Sequence, residues 1–316
     1  MRSTWTRWER TLRKPTRGAW ENRPYRWLAR YYDRLFTFHL PWFQAARDRI
    51  LGGILPEVES GCDLACGTGT TAVLLARRGI RMFGVDLSPA MCRLARAKAR
   101  QRHLPVQVLH GDMRDFRLPE RVDLVLCEFD ALNHVPRKED LARVAHAVSR
   151  SLRPGGHFYF DVNNELAFKK VWPGAWWIEK PGVVLVMHGG WIERHGVCGR
   201  SDVEWFVREG KMWRRHREHI EQVAWGAAEM RGALREAGFD RVRAFDATPF
   251  FAGDPRIEPG CRTFYLARKA ATPGQRSTPG PSTGRNSSSF SARNRRIVPA
   301  SVWPSSGSMS TPAGVN

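Results

Sequence analysis

Between residues 58 and 162 short apolar runs alternate with segments of helical period, and this alternation constrains the fold more than any other feature of the chain. The first run ends at Asp63-Leu64. Gly67-Thr68-Gly69 then leads into a helix through Ala72, Leu75 and Ala76, stopped at Gly79. A second run, Arg81–Val85, ends in Asp86, and Ser88 caps a helix with Met91, Leu94, Ala95 and Ala99 on one face. Val106–Leu109 reads as a third strand. Val122–Cys127 reads as a fourth, so continuously apolar that both its faces must be covered. A helix at 138–152, with Leu141, Val144, Ala145, Val148 and Leu152 turned inward, ends at Pro154-Gly155-Gly156, and His157–Val162 is the fifth strand. Strands that alternate with helices form βαβ units, so the pattern predicts an α/β, doubly wound, mostly parallel sheet. The helix Gly226–Ala237 and the strands Val242–Asp246 and Arg262–Ala267 bring that sheet to seven strands.

Outside this region the pattern changes. Residues 25–50, YRWLARYYDRLFTFHLPWFQAARDRI, read as a helix, a break at Pro41 and a second helix. Leu28, Tyr31, Tyr32, Leu35 and Phe36 have the spacing of one apolar helical face, which predicts an N-terminal helical cover. Residues 183–222 read as long extended stretches broken at Gly189-Gly190 and Glu209-Gly210, an antiparallel β ribbon inserted at 165–225. Seven of the 13 Trp lie between Trp172 and Trp225. They read as an aromatic acceptor pocket or as the apolar face of a small sheet, and the second reading accounts for most of them. His216 and His219 stand an odd number of positions apart, so a strand directs them to opposite faces and no shared metal is expected.

The formal charge of +20 gathers at the ends, with nine basic residues against two acidic in 1–30 and five Arg with no acid in 271–316. Residues 1–24 read as a basic, flexible arm. From Ala271 onward 26 of 46 residues are Gly, Pro, Ser or Thr, and such a segment buries too little apolar surface to offset its ordering entropy. A disordered tail is expected over 271–316. Basic ends leave nucleic acid open as a partner, although solvated charge runs are common and no RNA-binding module is recognisable. No run approaches the ~20 apolar residues of a membrane-spanning helix, and the N-terminal stretch has no apolar h-region. A cytoplasmic protein with no membrane contact is therefore expected. The six Cys (Cys62, Cys66, Cys92, Cys127, Cys198, Cys261) lack the spacing of a disulfide framework or a zinc knuckle. Oligomeric state is not legible.

The segment C-D-L-A-C-G-T-G-T (62–70) carries the chemistry. Glycines at 67 and 69 let a ligand approach the backbone. Gly67-x-Gly69-x-x-Ala72 also satisfies the dinucleotide fingerprint, which keeps an NAD(P)-dependent oxidoreductase as an alternative. Asp63, four residues before the first Gly, argues against it. A carboxylate there repels a pyrophosphate and attracts a ligand with an ammonium. The segment D-L-A-C-G-T-G-T resembles the first motif of the class I S-adenosylmethionine-dependent methyltransferases. F-G-V-D-L-S-P-A-M (83–91), G-D-M-R-D-F (111–116), D-L-V-L-C-E-F-D-A-L-N (123–133) and L-R-P-G-G (152–156) resemble the later motifs of that family in order. The likeness covers about residues 25–270. A Y-Y-D-x-L helix at Tyr31–Leu35 and the segment H-R-E-H-I-E-Q-V-A (216–224) resemble a bacterial small-molecule branch with an inserted β ribbon.

The resemblance implies a Rossmann-like methyltransferase that binds S-adenosyl-L-methionine. In it, Gly67 and Gly69, with Ala65 in the same loop, pass under the methionine part, and Asp63 attracts its ammonium. Asp86 accepts from the ribose hydroxyls, Leu87 packs on the adenine, and Asp112 with Met113 holds the adenine amino group. Glu128 lies beside the methyl, and Tyr32 closes the pocket from the N-terminal helix. Methyl transfer is an in-line displacement in which positioning supplies much of the rate. A small-molecule N or O acceptor is expected, walled by the 165–225 insertion as a lid. A hydroxyl acceptor needs a base, for which His134 and Asp130 are the candidates. No N-P-P-Y-like or D-P-P-Y-like signature follows the fourth strand, so methylation of nucleic-acid base amines is not supported. The basic ends keep an RNA methyltransferase as a further alternative.

Overall fold

The structure, a computed structural model, describes residues 28–194, 196–251 and 259–271. The N-terminal arm and, apart from Ala271, the C-terminal tail of the sequence analysis lie outside the described residues. Five strands open the α/β region: β1 (Ser60–Leu64), β2 (Arg81–Asp86), β3 (Val106–His110), β4 (Val122–Cys127) and β5 (Leu152–Asn163). Four more make the insertion: β6 (Gly174–Lys180), β7 (Val183–Glu193), β8 (Val197–Glu209) and β9 (Met212–Val223). Then β10 (Phe239–Asp246) and β11 (Arg262–Lys269) return to the first sheet. Its order is β10-β11-β5-β4-β1-β2-β3, seven strands, with β11 antiparallel to both its neighbours and the other pairings parallel. The insertion is a separate antiparallel sheet, β6-β7-β8-β9.

Six α-helices accompany the strands among the described residues: α1 (Tyr32–Phe36), α2 (Leu40–Leu51), α3 (Thr70–Ala76), α4 (Pro89–Gln101), α5 (Lys138–Ser151) and α6 (Ala227–Glu236). Alternate residues of the central strands point to opposite faces. Val125, Cys127, Phe158 and Phe160 meet Val144 and Val148 of α5 and Met230 and Leu234 of α6. Leu124, Leu126 and Tyr159 meet Phe43 and Leu51 of α2 and Leu75 of α3. Both faces of β4 are covered, as its unbroken apolar sequence requires. No helix among the described residues is long and apolar enough to cross a membrane.

Several expectations shift. Pro41 starts α2 rather than ending a helix, since its fixed φ suits a first turn. Pro154-Gly155-Gly156 lies inside β5, where the pairing with β4 slips in register, and α5 stops at Ser151. Leu94 is exposed, and Cys92 takes its place on the buried face of α4. Gly189-Gly190 is no break but the middle of β7. A Cβ on Gly189 would sit 1.9 Å from the Trp172 carbonyl oxygen, and one on Gly199 would sit 2.1 Å from the Phe168 ring. These two glycines are notches that let segment 168–172 lie on the sheet.

Candidate active site

The turn from β1 to α3 threads through three residues of positive φ: Ala65 at 57°, Gly67 at 53° and Gly69 at 76°. Only glycine adopts this region freely, and at Ala65 it costs about 1–2 kcal/mol. The two glycines differ in surroundings. A Cβ at Gly67 would meet nothing within 4 Å, so open space lies over that peptide. A Cβ at Gly69 would lie 2.9 Å from Ala95 Cβ, so this glycine serves the packing of α3 on α4 rather than the approach of a ligand.

Carboxylates ring the loop. Asp63, at the end of β1, is buried, and its Oδ2 accepts from Ala72 N–H of α3 at 3.0 Å. Burial, with help from the Glu128 charge, pushes its carboxyl up to about 8. Asp86 ends β2 and accepts from two backbone N–H groups, Gly67 at 2.8 Å and Ser88 at 2.8 Å. Each oxygen keeps a lone pair for a further donor. Leu87, next in sequence, is 62% exposed, an apolar side chain with a bare face beside a half-buried carboxylate. Asp112 is held by Arg114 through both its oxygens, which draws its carboxyl below the usual range. Met113 packs against the core beneath α5 and α6.

The N-terminal helices fasten onto this cleft. Glu128, one residue past β4, is gripped by Arg47 of α2 at 2.8 and 2.6 Å and accepts from the Thr71 hydroxyl at 2.9 Å. Sequence reasoning set Glu128 beside the methyl group, but its carboxylate is committed to this buried pair. Phe129 stacks on Phe43, ring centroids 4.0 Å apart. Asp33 of α1 accepts from Thr68 Oγ1 of the glycine loop at 2.5 Å and pairs with Lys98 at 2.7 Å. Tyr32 leans on the inserted sheet together with Leu35 and Phe36. Burial and the fields of Asp130, Asp33, Asp86 and Asp63 raise its pKa, so these carboxylates lie near enough to act on its hydroxyl.

The chain beyond β4 turns through Phe129 and Asp130, both at positive φ (62° and 49°), a strained pair of the kind that functional sites keep. Asp161 of β5 accepts from the Asp130 N–H at 3.0 Å, and Arg262 of β11 bridges the two carboxylates, 2.8 Å from Asp130 Oδ1. Gln222 of β9 joins the group from the inserted sheet. Its Nε2 donates to Asp130 Oδ2 at 2.6 Å and to His134 Nε2 at 3.1 Å. An amide nitrogen only donates, so His134 accepts at Nε2 and carries its proton on Nδ1. Burial lowers the His134 pKa and keeps the imidazole neutral. The two sequence candidates for a base are thus brought together, and Gln222, which reasoning from sequence did not single out, holds both. Nearby Asn133 donates to the carbonyls of Asn163 and Val223 at 2.8 Å each, tying the loop to both sheets. On β9, His216 pairs opposite Trp205 and His219 opposite Asp202, on alternate faces.

Three comparisons bear on this arrangement. The profile of a methyltransferase domain family matches residues 62–156. A putative methyltransferase, YqeM, of Bacillus subtilis (strain 168) is 28% identical over 249 residues, covering 78% of this chain and 98% of that protein. A dTDP-3-amino-3,4,6-trideoxy-alpha-D-glucopyranose N,N-dimethyltransferase of Streptomyces venezuelae is 29% identical, covering 63% and 84%. A ubiquinone biosynthesis O-methyltransferase of Alkalilimnicola ehrlichii (strain ATCC BAA-1101 / DSM 17681 / MLHE-1) is 37% identical over 117 residues, covering 36% and 44%. The crystal structure of an S-adenosylmethionine-dependent methyltransferase from Clostridium acetobutylicum ATCC 824 superposes with a TM-score of 0.65 at 23% identity, covering 78% and 99%, which shows the shared fold. Fold and motifs together define an enzyme that moves methyl groups, with S-adenosylmethionine as its cofactor. Residues 62–156 form a methyltransferase domain, and the chain is similar along most of its length to S-adenosylmethionine-dependent methyltransferases.

Proposed function

We propose that the protein transfers a methyl group to the nitrogen or oxygen of a small molecule held between the glycine loop and the inserted sheet. The observation that carries this reading is Gln222, which runs from the insertion into the end of β4 and meets Asp130 and His134. The insertion is thereby anchored at the carboxyl edge of the parallel strands, where ligands of such sheets bind.

The residues present fit the donor. Gly67 leaves open space over its peptide, and Leu87 offers an uncovered apolar face beside Asp86. When bound, S-adenosylmethionine supplies a methyl already activated on a sulfonium. In this reading Asp63 faces the donor's ammonium, Ala65, Gly67 and Gly69 shape the loop under it, and Asp86 takes the ribose hydroxyls. Leu87 and Met113 flank the adenine, and Asp112 accepts from its amino group when Arg114 yields one oxygen. Tyr32 closes the cleft from above. Glu128 acts through Arg47 and α2, setting the end of β4. The 165–225 insertion, or acceptor lid, excludes water and orients the acceptor. His134, neutral with its Nε2 lone pair held by Gln222, serves as base for a hydroxyl acceptor only once Gln222 releases that nitrogen. Calorimetric titration with S-adenosylmethionine, followed by transfer of a labelled methyl to a library of small amines and phenols, tests the reading. Labelling of RNA and of no small molecule would reject it.

A further inference from the structure

The inner face of the inserted sheet, apolar at Val203, Trp205 and Ile220, turns polar at Ser201 and Gln222. Gln222 is 3% exposed and Ser201 1% exposed, yet Gln222 Oε1 and Ser201 Oγ have no hydrogen-bond partner. Buried polar atoms without partners are rare and costly. The two residues lie on one face, because Gly199 stands opposite Gln222 and Ser201 is two positions further along β8. Diagonal neighbours of this kind sit roughly 7–8 Å apart, the span of a small ring with its substituents. The orientation of Gln222 is fixed. Turning the amide over would set its oxygen against the Asp130 carboxylate, so Nε2 faces Asp130 and Oε1 faces away, an acceptor aimed at whatever lies on the sheet.

Charge narrows the ligand further. Around this point Asp130, Asp161 and, further along the same face, Glu218 are carboxylates, while Arg262 is the cation bridging the first two. Arg47 is committed to Glu128. Burial pushes the Asp161 carboxyl up to about 7 even beside Arg262, with Asp130 adding to the rise. Phenol methylation needs a phenolate nucleophile, and a surplus of carboxylates opposes it. An amine must also lose a proton to react, but it arrives as a cation that these carboxylates attract. Its cation is drawn in, and its product again carries the positive charge that these carboxylates stabilise.

Building on the small-molecule reading above, we infer that the acceptor is an amine-bearing molecule whose N–H and O–H groups are recognised by Gln222 Oε1 and Ser201 Oγ, with its amino group turned towards Asp130. The amine sheds one N–H proton to solvent and becomes neutral. Its lone pair then forms the N–C bond, the C–S electron pair stays with sulfur to give a thioether, and the positive charge passes from sulfur to nitrogen. Gln222 is a positioning residue for Asp130 and His134 as well as a contact for the acceptor.

The test uses the full chain loaded with donor or with S-adenosylhomocysteine. The probes are D-glucosamine, 3-amino-3-deoxyglucose and 2-aminocyclohexanol on one side, catechol and 3,4-dihydroxybenzoate on the other. Binding is read by calorimetry and transfer by labelled methyl. The amines are expected to bind and react, and the catechols to do neither. Ser201→Ala should raise KM for the amines at least fivefold with kcat little changed. Gln222→Leu should lower kcat as well as raise KM, with at least a 30-fold loss in kcat/KM and donor affinity unchanged. Preference for the catechols, unchanged amine kinetics in both variants, or no binding and no turnover of any amine by donor-loaded protein each overturns the inference. Catechol methylation leaves the small-molecule reading standing, whereas methyl incorporation into RNA alone removes both.

Discussion

The guanidinium of Arg47 meets both carboxylate oxygens of Glu128, at 2.8 and 2.6 Å, across 81 positions of sequence. Both side chains are almost wholly shielded from water. A buried pair of this kind is poor evidence of net stability, but breaking it from one side is costly. Arg47→Met should therefore destabilise the protein by about 3–5 kcal/mol, because it strands a buried carboxylate. The double variant Arg47→Met/Glu128→Met should recover most of that loss. Urea unfolding of the two variants and wild type checks this, and equal stability of the single and double variants would refute it.

Asp86 receives Gly67 N–H and Ser88 N–H and, in the proposed role, two ribose hydroxyls. Asp86→Ala should weaken S-adenosylmethionine binding by ~1.5–3 kcal/mol, the range for hydrogen bonds to a charged group. Calorimetry on a variant shown to be folded decides the point, and an unaltered affinity rejects the assignment.

The glycines of the loop should separate by phenotype. Gly69→Ala places a methyl 2.9 Å from Ala95 Cβ at a φ of 76° and should cost about 2–4 kcal/mol of stability. Gly67→Ala meets no atom and should cost only the backbone term of about 1–2 kcal/mol. Its effect should fall on donor affinity, at least tenfold, since the methyl projects into open space over the loop. Thermal melts with and without donor distinguish the two, and matching losses of affinity and stability at both positions would contradict the account.

The raised carboxyl of Asp63 makes stability depend on pH. Its folded value, about 8, lies above the ordinary value of about 3.9. The folded protein therefore holds a proton that the unfolded chain has lost, and stability falls progressively as pH rises from about 4 to about 8. Without donor, the protein should unfold at lower urea at pH 8.5 than at pH 5, and Asp63→Asn should flatten the difference. Donor affinity should climb over the same interval, as the carboxylate proposed to face the ammonium forms. A pH-independent affinity would detach Asp63 from the donor.

The strands and the glycine loop were legible because their signals are local. Asp63 and Asp86 stand out as acids that end apolar runs, and Gly67 and Gly69 sit in a turn with few solutions. Glu128 stood out for its place after β4, but its partner did not, since a guanidinium 81 residues away leaves no mark near it. Gln222 lay in plain view within H-R-E-H-I-E-Q-V-A, yet its contact with Asp130 spans 92 positions and depends on the register of β8 against β9. The ribbon's turn was misplaced because glycine marks both bends and notches, and only packing tells which. At Gly189 the Trp172 carbonyl decides it.

Adjacent residues of α1 hold different parts of the molecule. Asp33 is fastened to Thr68 and Lys98, and Arg34 donates to the Pro181 carbonyl at 2.6 Å in the first turn of the inserted sheet. One short helix is therefore an adaptor with a plug at each end. A chimera that exchanges the four-stranded insert for another keeps the glycine loop seated only when the helix travels with it, so the two segments, remote in sequence, form a single cassette for transplantation.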